Sequence, residues 1–127
     1  MRYGVVQLPI LGEGSILVAM ASECAAEQGK FWQFHDQVYE RARAENFGVY
    51  TGPGLLALAE DLRLDLDQFT SCVTEGRPLD QLRTDWQSAV ALGVGSTPTI
   101  FINDVLYGGP RTFESMSAHI EDLLAKQ

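Results

Sequence analysis

Gly95-Ser96-Thr97-Pro98-Thr99-Ile100-Phe101-Ile102-Asn103 is a loop that ends in Thr-Pro-Thr and runs directly into an apolar strand. Proline has no N–H to give to a ladder, so Pro98 at the mouth of a strand belongs at an edge, a turn or a functional loop. Downstream, residues 99–103 read as a strand, Asn103-Asp104 as a tight turn and residues 105–107 as the hairpin partner. Gly108-Gly109-Pro110 breaks the pairing. Thr112 then caps a final helix in which Phe113, Met116, Ile120, Leu123 and Leu124 repeat at helical spacing.

Upstream, residues 3–8 are rich in β-forming residues, are stopped by Pro9, and read as the only strand ahead of the proline loop. Ser15 is placed to cap a helix running to about residue 27, and Gly29 interrupts it. Residues 30–43 continue helical, with Phe31, Phe34, Val38 and Ala42 on one stripe. Residues 46–54 are turn-rich. Leu55, Leu56, Leu58, Ala59 and Leu62 form a further short helix, and Asp65 or Asp67 begins the next, turning Phe69, Cys72 and Val73 inward. Pro78 suits the first turn of a helix through Trp86, Ala89 and Val90 to Leu92, which Gly93 is suited to end.

Taken in order, four stretches resemble DsbA-like thiol-disulfide oxidoreductases. They are Ala21-Ser22-Glu23-Cys24-Ala25-Ala26-Glu27-Gln28-Gly29-Lys30-Phe31-Trp32-Gln33-Phe34-His35-Asp36, Leu64-Asp65-Leu66-Asp67-Gln68-Phe69, Ala91-Leu92-Gly93-Val94, and the proline loop itself. The resemblance covers nearly the whole chain. It implies an α/β, thioredoxin-like fold: a single domain over residues 1–127, with a core strand in 1–12, an all-helical insert over 13–92, and the proline loop, β-hairpin and C-terminal helix over 93–127. It further implies a cis Thr97–Pro98 bond, with Thr97 and Pro98 positioning an extended protein or peptide substrate, and an extracytoplasmic setting. A lesser likeness to kappa-class glutathione transferases, which also place helices inside a thioredoxin fold, is opposed by Gln28-Gly29-Lys30-Phe31-Trp32.

The family pattern opens with a strand and a Cys-x-x-Cys at the start of a long helix, whereas this sequence begins after both. The expectation is a truncated domain with an incomplete sheet and without its nucleophile, so no catalytic residue is assigned. The missing strand lies between the equivalents of residues 3–8 and 99–101, and its loss leaves unpaired backbone beside an apolar slot. A homodimer that completes the sheet by pairing or exchanging N-terminal strands is therefore expected, the alternative being direct pairing of residues 3–8 with the hairpin.

Cys24 and Cys72 are the only cysteines, and they lie on apolar faces of two expected helices. On the residues alone they are either buried thiols packing as small hydrophobes or one structural disulfide; neither has the helix-start setting of a reactive thiolate. Their shared occurrence in the helical insert that the resemblance implies favours the disulfide. A formal net charge of -8 argues against nucleic acid or anionic membrane as a partner. No stretch approaches a membrane span, and the first residues are too broken by Pro9 and Gly12 to read as a signal peptide. His35 and His119 lack ligand spacing, and Asp61, Asp65 and Asp67 lack the pattern of a calcium loop, so no metal or cofactor is assigned. Trp32 and Trp86 are expected in the core.

Overall fold

Glycine stops end three of the helices in this chain and short polar caps begin three. The computed structural model describes residues 1–44 and 47–127. Helix α1 (Glu13–Ala26) starts two residues before the expected Ser15 cap, on Gly12 at φ 90, with Glu13 in the first turn where the helix dipole favours an acid. Gly29 takes φ 71 and stops it. Helix α2 (Phe31–Arg43) follows, then a 3₁₀ turn (Phe47–Tyr50) and α3 (Gly52–Asp61), whose Thr51 side chain accepts from Gly54 N–H at 3.2 Å. Asn46, the first residue of the expected turn-rich stretch, lies outside the described residues. Of the two candidate caps for α4 (Leu66–Glu75), Asp65 is used: its carboxylate accepts from Gln68 N–H at 2.9 Å. Gly76 ends α4 at φ 64, and α5 (Leu79–Ala91) begins after Pro78 and gives way to Gly93 at φ 75.

The chain divides into two compact units, Met1–Gly93 and Val94–Gln127. The first has a core built from three faces: Ala21, Cys24 and Ala25 of α1, Phe34 and Val38 of α2, and Leu55, Leu58 and Ala59 of α3. Val49, Leu64, Phe69 and Cys72 close it. The Phe34 and Phe69 rings meet at 5.8 Å between centroids.

Two expectations fail here. Residues 3–8 form no strand: residues 1–10 have no regular element, and among the described residues the only sheet is a two-stranded one elsewhere. β-rich composition specifies a strand only where a neighbouring strand supplies its hydrogen bonds. Trp32 and Trp86 are not core residues but 42% and 48% exposed. Trp32 stands one position past Phe31 and two before the fully buried Phe34, so it flanks the buried stripe of α2 rather than joining it.

The second unit contains strands β1 (Phe101–Ile102) and β2 (Val105–Leu106), antiparallel, with Phe101 opposite Leu106 and Ile102 opposite Val105. Asn103 and Asp104 both take positive φ, 48 and 64, which is the type I′ geometry that matches strand twist. The strands are shorter than the sequence pattern suggests. Helix α6 (Phe113–Ala125) is capped by Thr112, whose hydroxyl accepts from Ser115 N–H at 3.2 Å. Its apolar stripe forms, yet none of its residues is fully buried, and Phe113 at the head is 83% exposed.

Candidate functional site

The proline loop enters β1 in a defined shape. Thr97 and Pro98 are both exposed, and the peptide between them is cis. Thr99 Oγ1 donates to the Ser96 carbonyl at 2.6 Å, closing a tight turn around the proline from within its own four residues. Just beyond, Tyr107 N–H donates to the Ile100 carbonyl at 2.8 Å, which extends the hairpin by one rung. The other edge of β1 has no strand beside it within this sheet. An edge of this kind offers its N–H and C=O groups to an extended chain. This end of the hairpin is held by Tyr107, whose hydroxyl donates to the Pro110 carbonyl at 3.0 Å and whose ring meets His119 at 5.4 Å.

Cys24 and Cys72 form a disulfide between α1 and α4, with Cα atoms 5.8 Å apart and both residues buried. Polar contacts reinforce this junction. Asp65 N–H donates to Gln28 Oε1 at 2.8 Å while Gln28 Nε2 donates to the Asp65 carbonyl at 3.1 Å, so one side-chain amide pairs with both backbone groups of one residue. Arg77 bridges Glu27 at 3.1 Å and Glu75 at 2.7 Å. Hydrogen bonds from Arg77 and Ser71 hold the Glu75 carboxyl below its ordinary range, and Glu27 and then Glu75 hold the guanidinium of Arg77 above its own. Both sulfurs sit within helices, away from any helix N-terminus and from water, a setting that suits a structural cross-link rather than a thiolate nucleophile.

Beside this junction, Glu23, Glu27, Arg77 and Gln81 line a small cleft. Burial raises the Glu23 pKa and the nearby Asp85 charge adds to it, against a lowering hydrogen bond from Gln7 at 3.4 Å.

An aromatic cluster not anticipated from the sequence lies on α2. Tyr3 stacks on Trp32 with centroids 5.3 Å apart, Trp32 meets the edges of Phe31 and His35, and His35 packs on Tyr39 at 4.9 Å. Phe31, His35 and Tyr39 recur every four residues, a signal visible in the sequence; Tyr3, distant along the chain, was not foreseeable as their neighbour.

The profile of the family described as Thioredoxin matches residues 1–122. The chain belongs to that family. Among its relatives, the Na(+)/H(+) antiporter NhaA 3 of Salinispora tropica is 35% identical over 109 residues, which are 86% of this chain and 16% of the antiporter. The Na(+)/H(+) antiporter NhaA of Herminiimonas arsenicoxydans is 33% identical over 121 residues, 95% of this chain and 18% of that protein. Disulfide bond formation protein D of Bacillus subtilis is 26% identical over 133 residues, covering 94% of this chain and 55% of its own length. The chain thus spans about a sixth of the antiporters and just over half of the disulfide protein. No solved structure matches significantly. Among the described residues, no helix is long and apolar enough to cross a membrane. The 127 residues contain the proline loop and no Cys-x-x-Cys.

Proposed function

We propose that this chain is the substrate-holding part of a DsbA-like protein thiol-disulfide oxidoreductase domain, and that its 127 residues bind extended polypeptide without themselves exchanging disulfides. The observation that carries the reading is the loop at Thr97 and Pro98: exposed, tied into shape by Thr99 and Ser96, and leading into a strand with one open edge. An extended substrate would lie along that edge and pair with its backbone, gaining affinity from main-chain hydrogen bonds that do not depend on substrate sequence. The distant likeness to disulfide bond formation protein D supports the same reading.

The absence of exchange by this chain rests on a different observation. Its two cysteines are spent on one buried bridge, so no thiol is left to attack a substrate disulfide. The chain then acts as a binding module, and we propose that two copies associate, each supplying apolar strand edges to the other.

Two measurements test this. Adding a reduced, unfolded polypeptide to isotope-labelled protein should shift the backbone amide resonances of Ser96, Thr97 and Thr99 selectively; shifts spread over the molecule or confined to α2–α4 would remove the groove. Insulin reduction by the chain should not exceed that of free glutathione, and turnover that disappears in Cys24→Ser or Cys72→Ser would overturn the non-catalytic reading.

A further inference from the structure

The cluster on α2 opens onto a groove of about 640 Å³ whose walls are Tyr3, His35 and Tyr39 and whose rim carries Asp36, Glu40 and Arg43. Three features of this groove converge on one ligand chemistry. Its walls are aromatic, and ring faces attract cations through their quadrupoles. Tyr3 is 70% and Tyr39 59% exposed, so each ring keeps surface open to solvent beside its contact with Trp32 or His35. Two carboxylates stand at the rim: Asp36 accepts from, or pairs with, His35 Nδ1 at 2.9 Å and Glu40 accepts from Gln37 at 2.8 Å, and in the described structure neither is paired with a lysine or arginine. The chain as a whole carries -8, which raises the local concentration of cationic partners.

We propose that this groove is a second binding site, distinct from the proline loop, that takes an arginine side chain presented by a partner polypeptide. The planar guanidinium stacks on the tyrosine rings while its N–H groups reach Asp36 and Glu40, a combination that a compact ammonium meets less well. Arg43 at the rim acts as a competitor: its own charge opposes entry of a second cation. The site stands independently of the proline-loop reading, because none of its residues belongs to that loop.

The chain has two tryptophans, so Trp86→Phe leaves Trp32, which touches both Tyr3 and His35, as the sole fluorescent reporter. Titrating this variant with a short capped glycine peptide carrying one arginine should give a saturable change in emission that weakens at higher salt. The same peptide with neutral citrulline should bind about tenfold more weakly, and Tyr39→Leu should weaken the arginine peptide about fivefold. Tyr39 is exposed, so that variant should keep the far-ultraviolet circular dichroism of the parent; Asp36→Asn offers a second, milder variant with the same expected direction. Arg43→Gln should tighten binding. Equal affinity for the citrulline peptide, no saturable change, or indifference to both Tyr39→Leu and Asp36→Asn would overturn the proposal. Weaker binding of the arginine peptide in Arg43→Gln would also overturn it.

Discussion

Gly54 shows how much a single hydrogen decides in the helical unit. A Cβ there would lie 1.8 Å from the Gly48 carbonyl oxygen and 2.6 Å from its carbon, both backbone atoms that cannot swing aside. The close approach is held by Thr51, whose hydroxyl donates to the same Gly48 carbonyl at 2.6 Å while accepting from Gly54 N–H. Gly54→Ala must therefore push the 3₁₀ turn, with its buried Val49, away from α3. We expect a loss of about 3 kcal/mol in urea unfolding, against about 1 kcal/mol for Thr51→Ala, which removes the cap but leaves the packing. Gln28→Ala should cost about 1 kcal/mol, because it removes the partner of the Asp65 N–H while the Asp65 carbonyl keeps its bond from Phe69 N–H. Neither Gly54 nor Gln28 declared these roles in the sequence. A glycine in a turn-rich stretch looks the same whether or not another backbone crosses it, and Gln28 meets the backbone of a residue 37 positions away. Pro98 was legible for the opposite reason: its constraint is local, since a residue without an N–H at the start of a strand is out of place in any fold.

At the level of elements, the bridge between α1 and α4 is a covalent tie whose contribution can be sized. It closes a loop across a sequence separation of 48, which the chain-entropy model values at about 4 kcal/mol. The double variant Cys24→Ala/Cys72→Ala should lose about that much in urea unfolding, and a loss below about 1 kcal/mol would mean that packing, not cross-linking, holds the two helices together. On α1, facing Gln7 and Asp85 of α5, Glu23 gives a pH signature. Its folded pKa is raised, so the folded state favours the protonated form; stability from this group is full below the ordinary value of 4.5 and is lost as pH rises through the folded value. Glu23→Gln keeps an acceptor for Gln7 and removes the charge facing Asp85. Its urea midpoint should exceed that of the parent at pH 7 and match it at pH 4, while Glu114→Gln, the same charge change on an exposed site, should show a smaller difference. Helices α1, α4 and α5 were readable at their ends from glycine stops, and α4 and α6 at their starts from short polar caps, both local signals. The strand expected at residues 3–8 was not, because a strand exists only through its neighbour, and composition says nothing of whether that neighbour is there. The stripe of α6 was read correctly as a pattern, yet pattern gives the direction of a face and not what covers it.

For the whole molecule, the decisive quantity is apolar surface that the chain does not bury. Val6, Leu11, Val105, Leu106 and Phe113 are all more than half exposed, and the hairpin offers strand edges as well. Surface of this kind favours association, and a net charge of -8 opposes it only at long range, where salt screens it. Association through the N-terminal stretch and the hairpin edges is the arrangement that would give residues 3–8 the ladder partners they lack. Light scattering at micromolar concentration should accordingly report about twice the 14.0 kDa chain mass. The test residue is Val6. It is 67% exposed in the single chain, so Val6→Lys places a charge where a monomer would tolerate it and an interface would not. The variant should run at the mass of one chain with unchanged circular dichroism. Leu106→Lys on the hairpin should do the same if both stretches share the contact. A parent protein that is monomeric at this concentration would refute dimerisation, and a Val6→Lys variant that stays dimeric would move the interface away from the N-terminal stretch.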